Sequence, residues 1–161
     1  ATEMGNRVCY QAIQIHGGVG YMREFNVERH FRDVRVTNIY EGTSQLQVVA
    51  VTGKLLGHAL DPLLEGWAAA IPSPEQSDLH ARLVQANALF LRTTDTLKDQ
   101  PREQIDYAAV DLASMAAILV SAWLLLLDVP HSPAKLDLAR AYLAEHLPSL
   151  RAAAERISSA S

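Results

Sequence analysis

The chain places hydrophobic residues at helical spacing from its first residues onward. Met4, Val8, Ala12 and Ile15 lie three or four positions apart, with polar residues between them. Residues at this spacing share one face of an α-helix, which has about 3.6 residues per turn. The pattern predicts a first helix over residues 2–15.

Glycine ends this first pattern. The segment Gly17–Gly20 contains three glycines, and glycine adopts the positive φ angles that close a helix and turn the chain. The mixed and charged residues 21–40 predict one short helical turn, over Val27–Asp33. The first helix is therefore followed by a turn and a mostly irregular, charged segment.

A second long helix is predicted from Ser44 to about Ala59, after a break at Ile39–Thr43. Thr43 is the expected N-cap, because its hydroxyl can accept a hydrogen bond from one of the first helical N–H groups. The two long helices and the segment between them form the first predicted region, residues 1–60.

Helix-breaking residues follow this region. Pro62, Gly66 and Pro72 fall within a short stretch, which is typical of a loop or boundary. We therefore predict a linker over residues 61–73 and a helical extension over residues 74–161 that packs on the first region.

Proline marks the start of each predicted helix in the extension. Ser73 precedes Pro74, and Gln76 stands where it completes a capping box. Pro101 opens the next helix, which runs to Leu127.

A second serine–proline pair, Ser132-Pro133, opens the last helix, and Pro148 is expected to kink it because proline lacks an N–H. No strand-like alternation persists along the chain. The predicted fold class is all-α, an antiparallel bundle of about five helices.

The segment Leu112–Leu127 carries no formal charge over sixteen residues. A membrane-spanning helix needs about 20 apolar residues, and Asp111 and Asp128 bracket this shorter run without a neighbouring lysine or arginine. The pattern favours a buried central helix over a membrane span, with Asp111 either solvated or paired.

Composition narrows the class of protein. Of 161 residues, 49% are hydrophobic and the net charge is -4, which suits a globular domain and disfavours a nucleic-acid binder. The one cysteine, Cys9, cannot form an internal disulfide, so a reducing, cytoplasmic location is expected. Because the chain lacks a leading methionine and reads as helix from its second residue, we expect a fragment of a longer protein.

Residue types that could carry chemistry are sparse. The six histidines are scattered without metal-ligand spacing, so no metal site is predicted. Cys9 is expected to be a packed thiol. The glycines at 17–20 are either a helix cap or a backbone loop that lets amides approach a phosphate. Glu41 is either a solvated loop acid or a base whose proton affinity rises when an apolar substrate desolvates it.

The order and spacing of several motifs add a family resemblance. Over about residues 1–57 the chain resembles the C-terminal helical domain of the acyl-CoA dehydrogenases, and residues 74–161 resemble, more weakly, the extension of the larger members. The matching segments are Gln14-Ile15-His16-Gly17-Gly18-Val19-Gly20-Tyr21, Glu24, Val27-Glu28-Arg29, Arg32-Asp33-Val34-Arg35 and Ile39-Tyr40-Glu41-Gly42-Thr43-Ser44-Gln45.

The resemblance implies a reaction and a base. Family members hold FAD and oxidise an acyl-CoA thioester to the trans-2-enoyl-CoA, with the Tyr-Glu-Gly-Thr glutamate taking the α-proton in many of them. Glu41 occupies that place, its backbone N–H would help to hold the thioester oxygen, and Gly42 would contact the substrate.

The same resemblance assigns cofactor contacts. Gln14, Gly17 and Gly18 match residues that reach the adenine dinucleotide part of a FAD bound mainly by a neighbouring subunit. Thr43 and Gln45 match residues that contact the flavin cofactor, where a helix N-terminus also favours a diphosphate.

Several expectations concern the context of the site. Arg29, Arg32, Asp33 and Arg35 are expected to form ion pairs that fix the loop before Glu41. Most of the flavin pocket and acyl channel would lie upstream, so the chain alone should neither bind FAD tightly nor turn over acyl-CoA.

The partners implied are an acyl-CoA substrate, electron transfer flavoprotein as acceptor, and a homodimer or homotetramer. A second copy could cover the apolar faces of residues 2–16 and 44–59. Two alternatives stay open: a non-catalytic helical interaction or oligomerisation domain, and a small helical carrier of an apolar ligand.

Overall fold

The computed structural model describes residues 1–70 and 72–159, and these residues form seven α-helices and no strand. The all-α prediction is confirmed. Two short 3₁₀ helices, Gly17–Tyr21 and Val36–Asn38, connect the first three α-helices. The helices are α1 (Thr2–His16), α2 (Asn26–Arg35), α3 (Ser44–Leu56), α4 (Asp61–Ala68), α5 (Ser77–Lys98), α6 (Arg102–Leu127) and α7 (Lys135–Ser159).

The chain divides into two compact units, Ala1–Gln47 and Val48–Ser161. The division falls inside α3, whereas the sequence predicts a boundary at residues 61–73. Part of that predicted linker is helical, because α4 occupies Asp61–Ala68. Pro62 is tolerated there since the first-turn N–H groups of a helix lack intrahelical acceptors in any case.

Hydrogen bonds of the predicted capping residues are observed near the starts of two helices, α3 and α5. The N–H of Leu46 donates to Oγ1 of Thr43 at 3.4 Å, as predicted for an N-cap. Half of the predicted capping box also forms, since Oε1 of Gln76 accepts from the N–H of Ser73 at 3.1 Å. Regular α-helix nevertheless begins only at Ser77.

The first unit has little interior. α1 packs against α2, and the side-chain amide of Asn6 donates to the carbonyl of Val34 at 3.2 Å. α1 contains no buried residue, and Val27 and Gly20 are the buried positions among residues 1–47. Most of its apolar side chains therefore face solvent.

The second unit contains the main hydrophobic core. α5, α6 and α7 pack against one another, and short connections make successive helices antiparallel. Large side chains, including Phe90, Met115 and Trp123, fill the space between them and are fully buried. α7 continues through Pro148 as one helix, and the kink at this proline stays a prediction.

α6 is the helix of the described residues that is long and apolar enough to cross a membrane by length and composition. Its buried side chains, among them Leu112, Leu119 and Trp123, form the centre of the core of the second unit. Asp111 is paired: both its carboxylate oxygens accept from the guanidinium of Arg156, at 2.9 and 2.6 Å. This packing is what the buried-helix interpretation predicts.

Candidate functional site

The backbone at Glu41 has an unusual conformation. Glu41 has φ +54° and the next residue, Gly42, has φ +96°. The left-handed region is costly for a residue with a Cβ, so glutamate persists there only when its surroundings hold it. The side chain of Glu41 is exposed. The loop therefore presents a carboxylate at the surface directly before α3.

Two contacts hold this loop in place. Nε2 of Gln47 donates to the carbonyl of Glu41 at 2.8 Å, which ties the loop to the first turn of α3. The hydroxyl of Ser44 donates to the Glu3 carboxylate at 2.8 Å, which ties the start of α3 to the first turn of α1. Sequence reasoning missed Gln47 and Glu3, since neither contact has a local sequence signal.

Gly42 is required by both conformation and space. A Cβ on this residue would lie 3.2 Å from Nε2 of Gln47, and the φ of +96° is one that side chains rarely adopt. An alanine would therefore strain the backbone and press on the amide that holds Glu41.

The three glycines that follow α1 have different conformations and surroundings. Gly17 has φ +67°, so it ends the helix in the manner predicted. A Cβ on Gly20 would lie 2.6 Å from Cβ of His16, so this glycine permits close packing. Gly18 is exposed with no atom within 4 Å of its added Cβ, and Gln14 is exposed beside it. Gln14 and Gly18 are therefore accessible to a ligand.

The glycine segment and the Glu41 loop lie at opposite ends of α1. The loop is tied to Glu3 in the first turn, whereas Gly17 directly follows the last helical residue, His16. The thirteen residue steps along the helix from Glu3 to His16 correspond to about 20 Å. The structure thus brings Glu41, Gly42, Thr43 and Gln45 together and keeps Gln14, Gly17 and Gly18 apart from them.

The charged residues of α2 do not have the role predicted for them. Arg29 pairs with Asp33 at 3.4 Å and Arg32 with Glu28 at 3.7 Å, both within α2. Arg35 has no carboxylate within 4.0 Å among residues 1–70 and 72–159. Ion pairs therefore form as expected at Arg29, Arg32 and Asp33, but they join residues one turn apart and stabilise their own helix. The expectation that they fix the loop before Glu41 is wrong.

Cys9 is a free, half-buried thiol on α1. In the part of the chain that the structure describes, no three His, Cys, Asp or Glu side chains are grouped so as to hold a metal ion.

Comparison with protein families matches residues 1–56 to the model described as "Acyl-CoA dehydrogenase, C-terminal domain". Over 56 residues the chain is 55% identical to the caffeyl-CoA reductase–Etf complex subunit CarC of Acetobacterium woodii. It is 52% identical to the human mitochondrial short-chain specific acyl-CoA dehydrogenase over 56 residues. Each match covers 35% of this chain, and 15% and 14% of those proteins, so the chain spans a small part of these curated relatives.

A solved structure matches the fold over a longer stretch. An acyl-CoA dehydrogenase from Bacillus anthracis complexed with FAD superposes with a TM-score of 0.78 and 19% sequence identity. The match covers 97% of this chain and 30% of that one. The similarity in fold to this solved structure therefore extends beyond residues 1–56, the segment that the family model matches.

Proposed function

Residues 1–56 belong to the C-terminal domain family of the acyl-CoA dehydrogenases, and on that premise we propose that Glu41 is the catalytic base of a FAD-dependent acyl-CoA dehydrogenase. The proposed reaction is α,β-dehydrogenation of an acyl-CoA thioester to the trans-2-enoyl-CoA. The observation that carries it is the strained, exposed Glu41 at the surface before α3, since strain of this kind clusters at functional sites.

The loop has the groups that proton abstraction from Cα requires. The Glu41 carboxylate is accessible, and its carbonyl is already occupied by Gln47. The N–H of Glu41 donates to no acceptor within residues 1–70 and 72–159. That N–H is free to donate to the thioester oxygen, where negative charge develops as the α-proton leaves, and Gly42 allows the substrate a close approach.

This chain has residues that are suited to form part of a FAD-binding site. Gly18 has open space where a side chain would be, and Gln14 is exposed beside it. Thr43 and Gln45 are exposed at the N-terminus of α3, where N–H groups favour a phosphate. When bound, FAD would supply the acceptor for the hydride that leaves Cβ of the substrate. The role of this chain is to bind and orient the cofactor and to remove the α-proton of the substrate.

The two groups of candidate residues lie at opposite ends of α1, and this distance supports assigning them to two separate FAD molecules. Gln14, Gly17 and Gly18 lie about 20 Å from the Glu41 loop. We propose that they contact the adenine dinucleotide part of the FAD of a neighbouring subunit, while Thr43 and Gln45 contact the cofactor beside Glu41. The parent protein would then be a homodimer or homotetramer.

The names of relatives support further proposals about partners. One relative is a subunit of an Etf complex, which supports electron transfer flavoprotein as the redox partner. Two relatives are named reductases, of caffeyl-CoA and of 3-(aryl)acrylate. Glu41 would serve that reverse direction as the acid that protonates Cα. We place the parent protein in the cytoplasm, on the support of the single free thiol at Cys9.

A second function has a specific observation in its favour. α1 has no buried residue, and Met4 and Ile15 are exposed by 60% and 84%. A helix with such an apolar surface suits a non-catalytic interaction or oligomerisation domain.

The test between the two uses the full-length parent protein. Glu41→Gln should lower the rate of flavin reduction by acyl-CoA by about 10²–10⁴-fold, since the amide cannot take the proton, and FAD content should be unchanged. Glu65→Gln on the exposed surface of α4 is the matched control, with an unchanged rate. An unchanged rate in Glu41→Gln would refute the catalytic role.

The isolated chain gives a separate prediction. Purified alone, it should show no flavin absorbance after incubation with FAD and gel filtration, and no acyl-CoA-dependent flavin reduction, because the reacting groups are not held together. Steady turnover by the isolated chain would contradict this.

A further inference from the structure

The second unit contains a cleft between α5 and α7 that the proposed function does not use. Its volume is about 140 Å³. Its charged lining consists of three arginines, Arg82 and Arg92 from α5 and Arg151 from α7, and Gln85 adds a polar amide. No carboxylate lines the cleft. It therefore concentrates positive charge on a chain whose net charge is -4.

Ion pairing distinguishes two of these arginines from the others in the unit. Arg102, Arg140 and Arg156 have carboxylate partners at 2.9, 3.0 and 2.6 Å, and Arg82 has one at 3.9 Å. The remaining arginines of the unit have no carboxylate within 4.0 Å in the described chain. They are Arg92 and Arg151, and both line this cleft.

The floor of the cleft is apolar. Ala86 of α5 and Leu147 and Leu150 of α7 line it and are 8%, 3% and 0% exposed. Charges beside such a surface are screened less than charges surrounded by water, so an anion in the cleft interacts more strongly with the guanidinium groups. The cleft has room for a group of the size of a phosphate, and guanidinium forks match phosphate oxygens in pairs.

We propose that the α5–α7 cleft is a binding site for a phosphate group. Arg92 and Arg151 donate to its oxygens from the two helices, and Arg82, only loosely held by Asp78 at 3.9 Å, supplies a third donor. The ligand thereby bridges α5 and α7.

The test is calorimetric titration of the 161-residue chain with inorganic phosphate and with pyrophosphate at constant ionic strength. The wild-type chain should bind one equivalent saturably. Arg92→Gln/Arg151→Gln should weaken binding by about tenfold or more, because two charged donors are lost. Circular dichroism should show an unchanged helical spectrum, since both side chains are exposed, and the single variant Arg92→Gln provides a second measurement.

The matched control is Arg102→Gln/Arg140→Gln, which removes the same charge from two exposed arginines outside the cleft. It should change the affinity by less than about twofold. Equal loss in both double variants would show a non-specific charge effect and overturn the proposal. Absence of saturable phosphate binding together with absence of vesicle binding by the wild-type chain would overturn it as well.

A vesicle arm distinguishes the two sources of such a group. Flotation with phosphatidylcholine vesicles containing phosphatidic acid would identify a lipid headgroup if binding is lost in Arg92→Gln/Arg151→Gln. Binding of soluble phosphate without flotation would identify a soluble phosphorylated ligand. Either result supports the site, and failure of both arms refutes it.

Discussion

At the scale of single residues, the pair Glu41 and Gly42 carries most of the functional argument. Gly42→Ala should destabilise the chain by about 1–2 kcal/mol, because alanine at φ +96° is strained and its Cβ would meet Gln47. The measurement is urea unfolding followed by circular dichroism. Gly53→Ala is the control: Gly53 lies within α3 with no atom within 4 Å of an added Cβ, so the change should stabilise by about 0.5–1 kcal/mol. Equal effects of the two would contradict the strain at Gly42.

A buried polar residue provides a second prediction at this scale. Asn87 on α5 is 4% exposed; its amide donates to the carbonyl of Leu64 at 3.1 Å, and its oxygen accepts from Nε1 of Trp123 at 2.9 Å. Asn87→Ala should destabilise the chain by about 2–4 kcal/mol, because it leaves the buried Nε1–H of Trp123 without its acceptor and removes a donor from the carbonyl of Leu64.

Thermal and urea unfolding measure this effect. Thr96→Ala, on the exposed side of the same helix, is the control and should change stability by less than about 0.5 kcal/mol. If Asn87→Ala changed the free energy of unfolding as little as this control, the hydrogen bonds of Asn87 would contribute nothing to the stability of the second unit.

Sequence reasoning reached some of these residues and not others. Thr43 and Gln76 were predictable because capping acts within one helical turn. Asn87 and Gln47 were not, since their roles depend on partners brought near by folding. The conformation of Glu41 was also hidden, because no local signal requires φ +54° in a glutamate.

At the scale of elements, the end of α5 gives a pH-dependent prediction. Lys98 donates to Asp95 at 2.8 Å. This hydrogen bond and the ammonium charge hold the pKa of Asp95 below its usual 3.8. The same hydrogen bond with Asp95 raises the pKa of Lys98 above its usual 10.5. His58, between α3 and α4, lies 3.8 Å from the same carboxylate.

The sign follows from linkage. The contribution of Asp95 is present above its unfolded-state pKa and is lost as pH falls below 3.8 through the lower folded value. The contribution of Lys98 is present below 10.5 and is lost as pH rises through the higher folded value. Asp95→Asn should therefore flatten the dependence of the melting temperature on pH in both ranges.

The control for this variant is Asp106→Asn, which removes a carboxylate paired with Arg102 instead. It should leave the alkaline range as in the wild-type chain, because Lys98 keeps its partner. Identical alkaline profiles for both variants would exclude the Asp95–Lys98 pair as the source of the effect.

The element scale also shows where sequence patterns mislead. Pro62 and Gly66 predict a linker, yet both lie within α4, because a first-turn proline costs no intrahelical hydrogen bond. Pro148 predicts a kink within a helix, and α7 runs through this proline, with Leu147 and Leu150 on either side of it buried in the core.

At the scale of the whole molecule, the predicted all-α class holds because helical periodicity runs through most of the chain. The distance between the two groups of candidate residues could not be predicted, since it depends on which end of α1 the Glu41 loop meets. Ser44 settles this by its hydrogen bond to Glu3. The proposal that the glycine segment contacts the FAD of a neighbouring subunit takes its structural support from this one contact.

The exposed apolar side of α1 leads to the last prediction. Met4, Val8 and Ile15 are 60%, 56% and 84% exposed and line an open groove of about 310 Å³. The isolated chain should dimerise with rising concentration, as light scattering after gel filtration would show. Val8→Glu/Ile15→Glu should make it monomeric, because two charges cannot be desolvated cheaply. Leu63→Glu/Leu138→Glu, at exposed positions in the second unit, should not. A chain that stays monomeric at every concentration would contradict dimerisation and would indicate that another part of the parent protein covers this side of α1.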